Sequence, residues 1–103
     1  MNDSSYHIFF SNLSSPLRIK IISALRKSPL SVTELSKAVN EEQSNVSHSL
    51  KALRCCNIVN SEIKGKKRIY SLNKKTIVPI LSLIDKHSQT FCKGKCNCDI
   101  CGK

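Results

Sequence analysis

The sequence predicts a mostly α-helical domain that carries one small β-hairpin, and three observations point there. Apolar residues recur at helical spacing in four separate stretches. SVTE at residues 31–34 reads as a helix-capping box, and two β-branched-rich segments flank Lys64-Gly65-Lys66. A chain of 103 residues has room for one such domain, since domains commonly hold about 100 to 150 residues. Residues 1–91 are expected to form it, with 92–103 as a cysteine-rich tail.

The first helix is SYHIFFSNL, residues 5–13, and Ser14 and Ser15 break it. Ser15 can cap the next helix, and Pro16 suits its first position because the missing N–H is not needed there. Leu17, Ile21, Ile22 and Leu25 then form an apolar stripe that ends near Lys27 and Pro29. In the capping box Ser31 caps and Glu34 reaches back, while Leu30 and Leu35 take the places of a hydrophobic staple. This third helix runs to about Val39. A short turn at NEE leads to QSNVSHSLKALRCC, in which Val46, Leu50 and Leu53 share one face while Ser47, His48 and Lys51 point elsewhere. Two short helices joined by a tight turn are a helix-turn-helix candidate.

Asn57 stands where that helix must end and tolerates the left-handed backbone such a position often needs. IVNSEI and KRIYSL follow as the two strands of the hairpin. A final helix starts at Thr76 as its cap, accepts Pro79 in its first turn, and places Ile77, Ile80, Leu81, Ile84 and Phe91 at helical spacing. An irregular tail follows, and there is no internal repeat.

Seventeen basic side chains against seven acidic ones give a net charge of +10, which favours a polyanionic partner, nucleic acid before an acidic membrane surface. The charge is uneven. Residues 1–60 hold seven basic and four acidic side chains, whereas residues 61–103 hold ten and three. Six cationic residues and no acid lie between Lys64 and Lys75, so the hairpin tip and far strand are strongly positive. No apolar run approaches the roughly 20 residues that span a bilayer, and MNDSSYHIFF lacks the basic start and long apolar stretch of a signal peptide. The expected compartment is the cytoplasm, with no membrane partner. Of the six cysteines, Cys55 and Cys56 are neighbours and four crowd into FCKGKCNCDICGK. Bridges among them would close only tiny loops, so metal or redox chemistry is the better reading.

Helix, helix, helix-turn-helix, basic hairpin, final helix is the ααααβ-βα order of a winged helix-turn-helix. The stretch SPLRIKIISALRKSPLSVTELSKAVNEEQSNVSHSLKALRCCNIVNSEIKGKKRIYSL resembles the ArsR/SmtB family of small dimeric prokaryotic repressors, over residues 9–91 or so. Its most specific parts are SPLRIKIISAL, QSNVSHSLKAL and the wing KGKKRIYSL. The resemblance implies a homodimer on double-stranded operator DNA. Exposed apolar positions in the first and last helices, such as Phe9, Phe10 and Ile84, would serve the dimer. A helix fits the major groove, where Gln43, Ser44, Asn45, Ser47 and His48 would reach base edges. Lys51, Lys64, Lys66, Lys67 and Arg68 would hold phosphates. The alternative is a solvated polar face beside a charged hairpin. Two departures from the family stand out: Glu41 and Glu42 precede the recognition helix, and His48 replaces a frequent arginine.

The resemblance also implies an effector, commonly a soft or borderline metal ion, that weakens DNA binding. The thiolate pair many members carry at the start of the third helix corresponds to Ser31 and Thr33, so that site is absent. Of the site between the final helices only His87 survives in register; Asp85, His87, Cys98 and Cys101 share its spacing but begin inside a helix. That leaves His87 as a core or dimer-interface residue. Cys56 in ALRCCNIV resembles a position where cadmium- and lead-responsive members place a thiolate, completed there by a second helical cysteine, here Ala52, and one from the tail. Cys55 or further tail cysteines would have to compensate. The bland reading of Cys56 is a small buried residue.

Cys92, Cys96, Cys98 and Cys101 offer four thiolates, enough for tetrahedral zinc or cadmium, and three would suit lead or arsenite. The expected ligand is therefore a thiophilic metal or metalloid ion, zinc, cadmium, lead or arsenite, held by Cys92, Cys96, Cys98, Cys101, Cys56 and Cys55 in some combination. The leading reading is an operator-bound repressor released by such an ion. A regulator with a structural zinc or redox-responsive tail is the second, and a metal-buffering protein the third. The chain shows no nucleophile-base arrangement and no phosphate-binding glycine loop, so no enzymatic activity is expected.

Overall fold

A computed structural model describes residues 3–92, the side chain of Cys92 excepted. In chain order it contains α1 (Asp3–Ser14), α2 (Pro16–Lys27), β1 (Leu30–Ser31), α3 (Val32–Val39), α4 (Gln43–Cys55), β2 (Val59–Lys64), β3 (Lys67–Leu72) and α5 (Ile77–His87), with a π-helical turn over Ser88–Cys92. These fall into two units, Met1–Asn73 and Lys74–Lys103.

Within the first unit each boundary has a local cause. Ser15 is extended, and its Oγ accepts from the Arg18 N–H at 3.4 Å, with Pro16 opening α2. The capping box of α3 is complete: Ser31 Oγ accepts from the Glu34 N–H at 3.3 Å, and Glu34 Oε1 accepts from the Ser31 N–H at 2.9 Å. Asn40 ends α3 in the left-handed region at φ 54°, donating to the Lys37 carbonyl at 3.3 Å. Asn57 does the same after α4 at φ 57°, as expected. Its turn lets the Ile58 N–H reach the Leu53 carbonyl at 3.0 Å. In the wing, Lys64 pairs with Lys67, and Gly65 at φ 65° is the first of the two residues between them. A two-residue hairpin turn with positive φ at that position suits glycine because no Cβ obstructs it.

The interior of this unit is built from four sources. Ile21, Ile22 and Leu25 come from α2, Leu35 and Val39 from α3, Val46, Leu50 and Leu53 from α4, and Ile58, Val59, Tyr70 and Leu72 from the hairpin region. The stripes read from the sequence are therefore the buried ones, with Leu17 only half-buried. The sheet differs from the expected hairpin because β1 adds a third strand in the order β1-β3-β2, pairing Leu30 with Tyr70 and Ser31 with Ile69, antiparallel. Two residues are too few for strand alternation to show, and their partner lies far along the chain.

Helix α1 buries a polar residue, Asn12, while Tyr6, Ile8 and Phe10 are half or more exposed. Phe9, expected to be exposed, is half-buried, with its ring edge-on to Phe10 at 5.5 Å. In the second unit Thr76 takes the N-cap position of α5 but makes no side-chain capping bond, because its backbone is not extended (φ −124°, ψ −50°). Helix α5 stops at His87, short of Phe91, and the π-helical turn carries on. His87 is exposed, not a core residue, and its ring lies 4.9 Å from Phe91. Leu83, Ile84 and Phe91 are exposed.

Hydrogen bonds from the Ser31 backbone and then its side chain hold the Glu34 carboxyl below its ordinary value, and the Lys67 cation adds to them. A carboxylate favoured by folding contributes stability above its unfolded pKa, and that contribution is lost as pH falls through the folded value. Ser31→Ala is expected to lower the unfolding free energy by about 1 kcal/mol at neutral pH, the usual cost of losing a cap. In urea titrations the difference between wild type and Glu34→Ala should shrink as acid protonates Glu34; a difference independent of pH would contradict the capping role.

Candidate nucleic-acid interface

Helix α4 divides cleanly by face. Val46, Ser49, Leu50 and Leu53 are buried, whereas Gln43, Ser44, Asn45, Ser47, His48 and Lys51 are all exposed. Every residue expected to meet DNA from this helix therefore lies on its open side. Burial of the opposite side orients it, since four apolar or small residues cannot turn outward without exposing the core.

Asn45 is not idle in that array. Its Nδ2 donates to Glu41 Oε1 at 3.0 Å. The Glu41 carbonyl in turn accepts from Ser36 Oγ, so this turn is tied to α3 and to the first turn of α4. Glu42 stands at the N-cap position without a side-chain capping bond. The two acids that depart from the family pattern thus have different roles, one holding an amide and the other only preceding the helix.

On the wing, Lys64, Lys66, Lys67 and Arg68 are all exposed. Lys64 is offset by Glu62, whose carboxylate lies 3.7 Å from its ammonium on the same strand. Both are well exposed, so the pair contributes little stability, but it reduces the charge Lys64 can offer elsewhere. Lys66, Lys67 and Arg68 carry the turn and the start of β3. The helix face and the wing strand meet in an open hollow of about 430 Å³ lined by Ser47, Lys51, Arg54, Cys55 and Tyr70. Arg54 was not among the residues singled out from the sequence. Its signal was available, because it lies three positions after Lys51 and seven after Ser47.

The vicinal cysteines separate. Cys55, the last residue of α4, is exposed and lines the hollow with Lys51 and Arg54. Cys56 is half-buried and faces α1, where its Sγ accepts from Asn12 Nδ2 at 2.7 Å. The orientation of that amide is fixed by Arg18, whose Nη1 lies 2.6 Å from Asn12 Oδ1. A guanidinium can only donate, so it must face the amide oxygen, leaving the NH₂ toward the sulfur. Cys56 is consequently more than a small space-filling residue. Asn12 and Arg18 were missed from the sequence; a lone amide within an otherwise apolar α1 was the available cue.

Among the described residues no group of three or more His, Cys, Asp or Glu is gathered to hold a metal ion. Cys96, Cys98 and Cys101, and the side chain of Cys92, lie outside the described residues. No helix among the described residues is long and apolar enough to cross a membrane.

Comparison with known proteins places these features in context. The profile described as "Bacterial regulatory protein, arsR family" matches residues 15–61. The chain is 38% identical over 77 residues to the HTH-type transcriptional regulator NmtR of Mycobacterium tuberculosis, covering 75% of this chain and 64% of that protein. It is 33% identical over 81 residues to a transcriptional repressor SmtB homolog of Synechocystis, covering 79% and 61%. The chain thus spans slightly less than two thirds of the length of these curated relatives. The crystal structure of Rv0081 from M. tuberculosis superposes with a TM-score of 0.80 at 30% identity, over 88% of this chain and 92% of that one.

The diverging cysteines lead to a reactivity order. In the folded protein with its tail cysteines changed to serine, a bulky aromatic disulfide should label exposed Cys55 faster than half-buried, hydrogen-bonded Cys56, as read by peptide mass spectrometry. Denaturation should abolish the difference; equal rates in the folded state would contradict the placement of Cys56.

Proposed function

The chain belongs to the arsR family of bacterial regulatory proteins, and from that premise we propose that it is a homodimeric, cytoplasmic, DNA-binding transcriptional repressor, released from its operator by a thiophilic ion. The observation that carries the DNA reading is the open face of α4, Gln43 to Lys51, beside the cationic wing. Helix α4 would lie in the major groove, Gln43, Ser44, Ser47 and His48 reading base edges. Asn45 would first have to exchange its bond to Glu41 for one to a base. Lys51, Arg54, Lys66, Lys67 and Arg68 would hold phosphates and set register without reading sequence. The exposed apolar residues Tyr6, Ile8 and Phe10 of α1, and Leu83 and Ile84 of α5, support pairing of two copies.

The donor set bears on the ion. Cys55 and Cys56 face different surfaces, so they do not form one chelating pair, and Cys56 would act with thiols of the tail. Cys92, Cys96, Cys98 and Cys101 supply enough sulfur for a four-coordinate zinc or cadmium site or a three-coordinate lead or arsenite site. Thiolate ligands favour such soft ions over magnesium or calcium. Release requires that the ion bind the DNA-incompetent state more tightly, and the coupling in such systems is about 5- to 150-fold in affinity.

Two measurements test this. Lys66→Ala/Lys67→Ala should weaken specific and random duplexes alike and reduce the slope of log K against log salt by about 2, near 0.9 per lost phosphate contact. Lys64→Ala, already offset by Glu62, should change the slope by less. An unchanged slope in the double variant would remove the wing from the interface. Separately, operator binding by reduced protein should fall about 5- to 150-fold with at least one of zinc, cadmium, lead, copper(I) and arsenite. Serine at the four tail positions should abolish that response; a tail variant that responds as wild type would exclude the tail as the sensor.

A further inference from the structure

The hydrogen-bonded chain from Arg18 through Asn12 to Cys56 joins three helices: α2, α1 and the end of α4. Asn12 is only 8% exposed, and both ends of its amide are used. A buried amide NH₂ that loses its acceptor leaves a donor unsatisfied, which is far more costly than never having buried it. Cys56 Sγ is that acceptor. Helix α1 buries no other residue, so its seating beside α4 leans on this contact.

We infer that Asn12 is the residue that couples Cys56 to the rest of the repressor: when Sγ is taken by a thiophilic ion or blocked by a covalent group, Asn12 loses its acceptor and α1 loosens from the end of the recognition helix. This rests on the reading of Cys56 as an effector ligand for its biological trigger, but the coupling itself is a property of the apo fold. The consequence reaches DNA because α1 carries Tyr6, Ile8 and Phe10 on its exposed side. If a second copy packs there, a shift of α1 changes the distance between the two α4 helices and hence their fit to half-sites one helical turn apart. Arg18 acts through Asn12 as a positioning residue: it pins the amide oxygen and keeps the NH₂ aimed at sulfur.

The chain also explains why Cys55 is not equivalent to Cys56. Cys55 opens onto the hollow with Lys51 and Arg54, so blocking it would touch the DNA face directly and leave α1 alone. Blocking Cys56 would leave that face intact and act at a distance.

The test uses the full chain with Cys56 as its sole cysteine, the others changed to serine. Methyl methanethiosulfonate converts it cleanly: the Cys56 thiolate attacks the sulfenyl sulfur, methanesulfinate leaves, and a methyl disulfide remains. Amide hydrogen exchange in α1 should then accelerate on the order of tenfold, with the core amides of α3 and α4 unchanged. Asn12→Leu keeps the shape and removes the donor, so methylthiolation should accelerate α1 exchange less than about threefold there. Arg18→Met, which leaves the buried core untouched, should give an intermediate effect and serves if the leucine variant is poorly folded. Equal acceleration with and without Asn12 would reduce the effect to crowding and overturn the proposal, as would no acceleration at all. A parallel cadmium titration of the wild type separates the two readings: if cadmium does not bind Cys56 but methylthiolation loosens α1, the ion reading fails and the coupling stands.

Discussion

Ser31 is held in two structures at once, and the geometry of the first unit depends on that. Its backbone pairs with Ile69 of β3, and its side chain and N–H close the capping box with Glu34 at the start of α3. The wing strand is thereby bonded to the residue from which the first helix of the helix-turn-helix departs. Without this joint, β2 and β3 would be a two-stranded hairpin, which is marginal alone in water. With it, the hairpin becomes part of a three-stranded sheet whose inner residues, Tyr70 and Leu72, share a core with α2, α3 and α4. The positive tip formed by Lys66, Lys67 and Arg68 is then carried at a set place relative to α4.

The same economy governs the recognition helix. Its buried face fixes rotation about its axis, and the Asn57 turn at its end sends the chain directly into β2. Its start is tied to α3 through Ser36 and Glu41, and its end to α1 through Cys56 and Asn12. A helix held at both ends transmits a change at either one. The end that carries a thiol is therefore a natural place for an effector to act, while the exposed face between the two ends is left for bases and phosphates.

Much of this was legible in the sequence because local rules carried it. Ser15 with Pro16, Ser31 with Glu34, Asn57, and the glycine of Lys64-Gly65-Lys66 each impose a backbone geometry that needs no distant partner, and each was read correctly. The apolar spacing of α2 and α4 likewise named the buried residues. What escaped was non-local. The pairing of Leu30 and Ser31 with β3 depends on residues far along the chain, and the Arg18–Asn12–Cys56 chain joins side chains from three helices. Thr76 shows the other limit: the residue type suited a cap, but its backbone does not place the hydroxyl over the amides of α5. His87 was read from an apolar surrounding and is instead exposed against Phe91. The tail cysteines had no periodicity to read, only spacing.

The central claim is that α4 and the wing of two copies read duplex DNA together. Selection of duplexes from a random pool by the reduced, metal-free protein tests it most directly. The account predicts enrichment of inverted repeats whose half-sites are centred about one helical turn apart, roughly 34 Å, with affinity that falls steeply as salt rises. A pool that emerges unenriched, or enriched only for single half-sites bound by one copy, would contradict it.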